Sequence, residues 1–319
     1  MPLRVVETAA ECRQALQQAR AGGHPVGLVP TMGALHAGHV SLMARARAEC
    51  ETVAVSIFVN PLQFGDPEDI AHYPRSLEWD LAVCAEAGVD VVFVPSVREM
   101  YPDWPAPVAT TVSVRGVSDG WEGASRPGHF DGVATVVTKL FSIAGPCRAY
   151  FGEKDYQQLA VVRQMVADLS LPVSVMGCPI VREPDGLALS SRNVRLSAAE
   201  RQAAVVLSRA LAVGRAVLAQ GVDHSSTVAE AMRRAVEEEP LVHLDYAVAV
   251  GAHDLVAREV IEDPATVRLL IAADVGPVRL IDNCAGAVTA PATSEPPLAG
   301  SAGANGTGPA NGRQMERIG

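Results

Sequence analysis

The sequence predicts an α/β protein: a doubly wound, mostly parallel sheet followed by a smaller α+β unit. Two observations carry the first part. Apolar runs alternate with helix-period segments four times within the first 95 residues, which is the rhythm of parallel strands joined by crossover helices. Runs such as residues 53–59 are also apolar throughout, as strands buried on both faces are. A change of rhythm after residue 198, to two alanine-rich helices and then three strands, carries the second part. With 319 residues, 49% hydrophobic and 19% charged, the chain can bury a real core over most of its length. The expected division is a large α/β domain over 1–179, a smaller α+β domain over 180–285 and a disordered tail over 286–319, where Ala, Gly, Pro, Ser, Thr and Asn dominate.

Residues 3–6 read as the first strand, and Thr8 with Glu11 makes a capping box for a helix running to about Arg20 and stopped by Gly22-Gly23. Residues 26–29 form the second strand. Its end leads into Leu28-Val-Pro-Thr-Met-Gly-Ala-Leu-His-Ala-Gly-His39, and from Gly38 onward Val40, Leu42, Met43 and Ala46 recur at helical spacing. A helix N-terminus reached this way has amides without intrahelical partners and the positive end of the helix dipole, so it attracts anions. Gly33 and Gly38 let backbone come close to a phosphate, and the imidazole N–H groups of His36 and His39 are placed to hold its oxygens and to stabilise charge moving onto a leaving pyrophosphate. The competing metal reading of His36-x-x-His39 lacks a nearby third ligand.

The third strand, 53–59, ends in Asn60-Pro-Leu-Gln63-Phe-Gly65, a loop at the carboxyl end of a strand, where open α/β sheets bind ligands. Asn60 and Gln63 are therefore candidates for hydrogen bonds to a substrate, with a plain Asn-Pro turn as the alternative for Asn60. A helix over 76–87 and a strand over 89–94 follow. Residues 96–131, with Pro102, Pro105, Pro107, Trp104, Trp121 and Arg126-Pro-Gly-His129, read as a long lid or binding segment. After a helix over 133–143 and a strand over 149–152 comes Gly152-Glu153-Lys154-Asp155-Tyr-Gln-Gln158, which opens a helix to about Leu169. Here Lys154 is a compact charge for a phosphate, Asp155 an acceptor for a ribose or a helix cap, and Gln158 stands one turn on. The last strand of the large unit covers 172–176. Beyond it, Ser190-Ser191-Arg192-Asn193 sets two hydroxyls beside a guanidinium, a suitable phosphate clamp, and Ser197 with Glu200 caps the next helix. The smaller unit has two helices over 198–239, split near Gly221, and strands near 242–250, 267–272 and 278–280.

Net charge is −10, which excludes a global electrostatic footprint for nucleic acid and makes phosphate binding local. Six cysteines without a CxxC pair suit reduced thiols rather than a disulfide framework. With no signal peptide and no apolar run of membrane-spanning length read from the sequence, the expected location is the cytoplasm, with no membrane partner.

Four stretches in order, 30–39, 56–65, 151–158 and 190–193, closely resemble the signatures of the pantoate–β-alanine ligase family, and the likeness covers residues 1 to about 285. The resemblance implies a Rossmann-like HxGH-type nucleotidyltransferase domain, a C-terminal lid and a homodimer. It also implies ATP-dependent activation of pantoate to pantoyl adenylate with release of pyrophosphate, then attack by β-alanine to give pantothenate and AMP, with magnesium on the phosphates and its protein ligands unspecified. Under it, His39, His36, Lys154 and Arg192 are catalytic. Met32, Gly33, Ala34, Leu35, His36, Ala37, Gly38 and His39 line the ATP site together with Gly152, Glu153, Lys154, Asp155 and Val181, while Leu189, Ser190, Ser191 and Arg192 close over the phosphates. Gln63, Gln158 and Asn60 are assigned to pantoate and β-alanine. Leu189 stands where many relatives carry Met, a volume-conserving exchange, and Tyr246-Ala-Val-Ala-Val-Gly251 is less polar than the family pattern. Two other readings stay open at this point: a different HxGH adenylyltransferase, which needs no pair of glutamines for a small acid, and a non-catalytic nucleotide-binding protein, against which His39, Lys154 and Arg192 count.

Overall fold

The computed structural model describes residues 3–287 except 66 and 72, so the expected tail lies outside the described residues apart from 286 and 287. The strands are β1 (Arg4–Val6), β2 (Val26–Thr31), β3 (Thr52–Ile57), β4 (Val91–Phe93), β5 (Cys147–Gly152) and β6 (Val173–Cys178) in one sheet, and β7 (Val242–Gly251), β8 (Val267–Val275) and β9 (Val278–Ala285) in another. The helices are α1 (Ala9–Ala21), α2 (Ala37–Glu49), α3 (Pro67–Ala71), α4 (Leu77–Glu86), α5 (Val97–Met100), α6 (Glu122–Ser125), α7 (His129–Ala144), α8 (Tyr156–Asp168), α9 (Ala198–Ala203), α10 (Val206–Ala219) and α11 (Ser225–Glu237).

The first sheet is wholly parallel in the order β1-β4-β3-β2-β5-β6. Its strands alternate between two cores, as the period of two in a strand demands. Leu28, Ala54, Phe93, Ala149 and Phe151 face α1, α7 and α8, whereas Val29, Val55, Val92 and Tyr150 face α2 and α4. From the adjacent pair β2 and β5 the sheet grows outward in opposite directions, so the crevice at their carboxyl ends is the topological switch point. Both glycine-punctuated turns leave from there.

The antiparallel sheet β7-β8-β9 packs one face on α10 and α11 through Leu269, Ile271, Ala247, Leu211 and Met232. Its other face sends Val250 and Leu270 into the core of the larger sheet, with Tyr246 and Val248 packed against it. The described residues accordingly belong to one compact unit.

Several boundaries differ from the sequence reading. Strand β3 stops at Ile57, two residues short of the expected end, although the Phe58 amide still donates to the Thr31 carbonyl at 3.0 Å. Helix α7 starts four residues early at His129, and β9 extends to Ala285. The segment 96–131 contains α5 and α6. Ala198–Ala219, 22 residues spanning α9 and α10, is long and apolar enough by length and composition to cross a membrane, contrary to the sequence reading. Its apolar residues Ala203, Val206, Leu207, Ala210, Leu211 and Leu218 instead build the core beneath the small sheet.

Candidate active site

A cleft opens to solvent at the switch point, lined by residues from the carboxyl ends of β2 and β5 and from the 189–192 stretch. Its first wall is the turn between β2 and α2. Gly33 and Ala34 have positive φ, 80° and 51°, and the turn is held by a residue from α4: the buried carboxyl of Asp80 accepts from the Ala34 amide at 3.0 Å and the Leu35 amide at 2.8 Å. A Cβ on Gly33 would stand 2.7 Å from Asp80 Oδ2, so glycine is required there by contact as well as by φ.

His36 is the N-cap of α2. Its Nδ1 accepts from the Gly38 amide at 3.1 Å, and the His36 amide donates to His39 Nδ1 at 3.3 Å, a capping box made of two imidazoles. The expectation that free amides at this helix terminus bind anions is corrected here. From Gly33 to Val40, only the Ala37 amide has no hydrogen-bond partner among the described residues. What the turn offers is the two rings. With Nδ1 accepting, each neutral imidazole carries its proton on Nε2 and is a fixed donor. Burial pushes the His39 pKa down to about 3, helped by the neighbouring His36, and burial with the charge of Lys154 lowers that of His36. Both rings are therefore neutral donors at physiological pH. Gly38 is required because a Cβ there would meet the His36 ring at 2.8 Å.

The second wall is the turn Glu153–Asp155 between β5 and α8. Lys154 Nζ lies 3.6 Å from Asp155 Oδ1. Asp155 precedes α8 but makes no capping bond, so the capping alternative does not hold. Partial burial raises the Asp155 carboxyl, but Lys154, Arg192, His129 and Arg126 outweigh it and hold the carboxyl below its ordinary range. Cations from three separate segments thus converge on one spot. The third wall is the clamp: Ser190 Oγ accepts from the Arg192 amide at 3.2 Å, and Ser191 hydrogen-bonds Tyr73 from the opposite side.

The neutral amides complete the lining. Gln63 is buried; its Nε2 donates to Met32 Sδ at 3.1 Å and its Oε1 accepts from Asn60 at 3.1 Å. Asn60 spends its whole carboxamide inside the protein, donating to Gly132 O and Gln63 and accepting from Leu62 N and Tyr101 Oη. It lines the cleft, but all four of its hydrogen-bonding positions are taken, so the structure makes it a support for Gln63. The Gln63 carbonyl accepts from His129 Nδ1 at 2.9 Å, and His129 Nε2 accepts from Arg126 at 3.1 Å. Gln158 also lines the cleft, while its neighbour Gln157 is buried and ties Val117, Gly120 and Glu122 of the long segment to α8.

The chain matches the sequence family described as pantoate-beta-alanine ligase over residues 4–285. It belongs to the pantoate–β-alanine ligase family. Among curated relatives, the pantothenate synthetase of Roseiflexus castenholzii is 51% identical over 283 residues, 88% of this chain and 99% of that one. The bifunctional pantoate ligase/cytidylate kinase of Thermosynechococcus vestitus is 54% identical over 260 residues, 81% of this chain, and the match spans 50% of that longer protein. Among solved structures, a pantothenate synthetase from Thermus thermophilus superposes with TM-score 0.83 at 50% identity, covering 89% of this chain and all of that one. A pantoate-beta-alanine ligase from Francisella tularensis, complexed with beta-gamma ATP and β-alanine, superposes with TM-score 0.71 at 33% identity, covering 89% and 98%.

Of the residues singled out in this family member's sequence, Met32, His36, Gly38, His39, Asn60, Gln63, Gly152, Lys154, Asp155, Gln158, Val181, Leu189, Ser190, Ser191 and Arg192 line the one cleft. Gly33, Ala34, Leu35, Ala37 and Glu153 do not; the first three are braced on Thr31 and Asp80, and Glu153 faces Arg268 at 3.0 Å. Sequence reasoning missed Asp80 and Tyr73, and gave Arg126 and His129 no role although it marked their segment. For Arg126 and His129 the signal was there: charged residues in a long, proline-rich segment.

Proposed function

We propose that this chain condenses pantoate with β-alanine at the expense of ATP, giving pantothenate, AMP and pyrophosphate, through a pantoyl adenylate. The observation that carries this reading beyond family membership is the composition of the cleft. Two neutral amides, Gln63 and Gln158, line the same cleft as a set of groups suited to phosphate, His36, His39, Lys154, Ser190, Ser191 and Arg192. A carboxylate does not acylate an amine at neutral pH, since oxide would have to leave. Attack of a pantoate carboxylate oxygen on the α-phosphorus expels pyrophosphate and converts that oxygen into part of an AMP leaving group. Attack of the β-alanine amine on the acyl carbon then forms the amide, releases AMP and gives up a proton.

In the first step negative charge grows on the departing pyrophosphate. The Nε2–H groups of His36 and His39, with Lys154 and Arg192, are the donors assigned to that charge, and being fixed beforehand they cost little reorganisation. Gln63 and Gln158 orient pantoate, which turns a bimolecular encounter into an aligned one. Magnesium enters as the counter-ion of ATP. Among the described residues no cluster of three His, Cys, Asp or Glu forms a metal cage, and Asp155 is the carboxyl in the cleft, as suits an ion carried mainly by phosphates and water. The 180–285 region is assigned the part of a lid bearing the clamp, the protein a homodimeric state, and the compartment the cytoplasm.

The deciding experiment is product analysis with ATP, pantoate and β-alanine. Pantothenate and AMP in equal amounts are expected; a dinucleotide would favour another HxGH adenylyltransferase, and no turnover a binding protein.

A further inference from the structure

The backbone on both sides of Lys154 is tied to the small sheet. We propose that Asn283 of β9, braced by Arg268 of β8, is a positioning residue for Lys154 in the adenylation step. The carboxamide nitrogen of Asn283 donates to two consecutive backbone carbonyls of the turn, Glu153 O at 2.9 Å and Lys154 O at 2.8 Å. The oxygen of the same carboxamide accepts from Arg268 Nε at 2.8 Å and again from Nη2. Its orientation admits no alternative, since arginine only donates and a carbonyl only accepts. Arg268 Nη2 also reaches Glu153 Oε2 at 3.0 Å, and its guanidinium lies over the Tyr156 ring at 4.0 Å. Behind Asn283, its own amide donates to Asp282 Oδ1 at 2.7 Å, and Asp282 takes a two-pronged contact from Arg182 at 2.6 and 2.9 Å.

Asn283 is 2% exposed and Arg268 8%. Neither lines the main cleft; Asn283 borders a small adjoining pocket that shares Lys154, Asp155 and Gln158 with it, and both its donors are already committed to the turn. What they fix is the peptide on both sides of the Lys154 Cα. A general stabilising role would need only that the two sheets adhere, which Leu270 and Val250 already provide by apolar contact. Asn283 instead spends both donors on the one residue pair that presents the ammonium.

The inference rests on the ligase reading, and the test separates the two. Wild type should exchange labelled pyrophosphate into ATP when pantoate is present; failure there overturns the reading of function and is seen in wild type alone. Asn283→Ala should slow that exchange about 10–100-fold, the scale expected for a misplacement on the order of 1 Å, while consuming pre-formed pantoyl adenylate nearly normally. In a Lys154→Ala background the same substitution should cost no more than about twofold further, because there is no longer an ammonium to misplace. An equal loss in both backgrounds, or wild-type exchange by the single variant, overturns the proposal. So does a crystal structure of Asn283→Ala in which Lys154 stays within about 0.5 Å of its place. Should Asn283→Ala not fold, Arg268→Gln, which leaves the Asn283 carboxamide present but unbraced, is read by the same three measurements.

Discussion

His39 differs from an exposed histidine in being forced to stay neutral. Its Nδ1 is committed to the His36 amide and its pKa is pushed down to about 3 by burial. The unfolded chain takes up a proton at this residue near pH 6.5, and the folded chain refuses it until about pH 3. The folded state therefore loses stability as pH falls through that window and loses none from this residue above it. His129, lowered to about 4 by burial and by Arg126, adds to the same effect. Urea midpoints measured from about pH 7.5 down to about 5 should fall in wild type and fall less steeply in His39→Gln. Parallel curves would mean that the ring protonates freely in the fold. In catalysis, removing a single fixed donor from growing phosphate charge typically costs about 10²–10³ in rate, and His39→Ala is expected to lose at least that while remaining folded, with a stability loss of about 1 kcal/mol for the capping acceptor taken from the His36 amide. Wild-type-like turnover by the folded variant would remove the imidazole from the mechanism.

At the scale of the element, two turns that line the cleft depend on residues that do not line it themselves. The β2–α2 turn keeps two positive-φ residues because Asp80 takes their amides; Asp80→Ala strands the Ala34 and Leu35 amides, at a cost of about 1–3 kcal/mol each in a buried setting. Denaturation should register a loss of that order, and ATP-dependent activity should fall further than the unfolded fraction explains. Unchanged stability would show that the turn holds itself. The turn Pro61–Gln63 leans on α7 at Gly132, where a Cβ would stand 2.3 Å from Leu62 O and 2.6 Å from Gln63 N. Backbone cannot yield as a flexible side chain does, so Gly132→Ala should destabilise by about 1–3 kcal/mol. It should raise the KM for pantoate more than that for ATP. A lower melting temperature with an unaltered pantoate KM would place Gln63 away from that substrate.

For the whole molecule, the question is where the catalytic unit ends. The family match stops at residue 285 and β9 at Ala285. The sequence beyond, poor in large apolar side chains, has little surface to bury against its ordering entropy. A chain truncated after residue 287 should keep its turnover and melting temperature; a clear fall in either would mean that the removed segment docks. The order of the two chemical steps is also a property of the assembled cleft. Exchange of labelled pyrophosphate into ATP should need pantoate but not β-alanine, and a requirement for β-alanine would replace the adenylate by a concerted three-substrate route.

Features closed within a few residues were legible in the sequence. Thr8 with Glu11 and Ser197 with Glu200 form the capping boxes expected of them, and both glycine turns open helices at strand ends. The parallel sheet followed from runs of apolar residues too long to alternate. The small sheet's strands were found but cut short, because β9 runs on through Asp282 and Asn283, buried polar residues that read as the end of an apolar strand. Everything that depended on distant pairing was decided by tertiary structure. Asp80 looks like any acid of an exposed helix face until it meets Leu35, 45 residues away. Asn283 looks like a strand terminus until it meets Lys154, 129 residues away. The helix amides expected to bind phosphate were taken by the protein's own imidazoles and carboxyl, because a buried N–H left without a partner is costly and the fold supplies one nearby. Sequence named most of the polar groups that line the cleft, since their chemistry is local; which of their hydrogen-bonding positions are already taken depended on what the fold packs behind them.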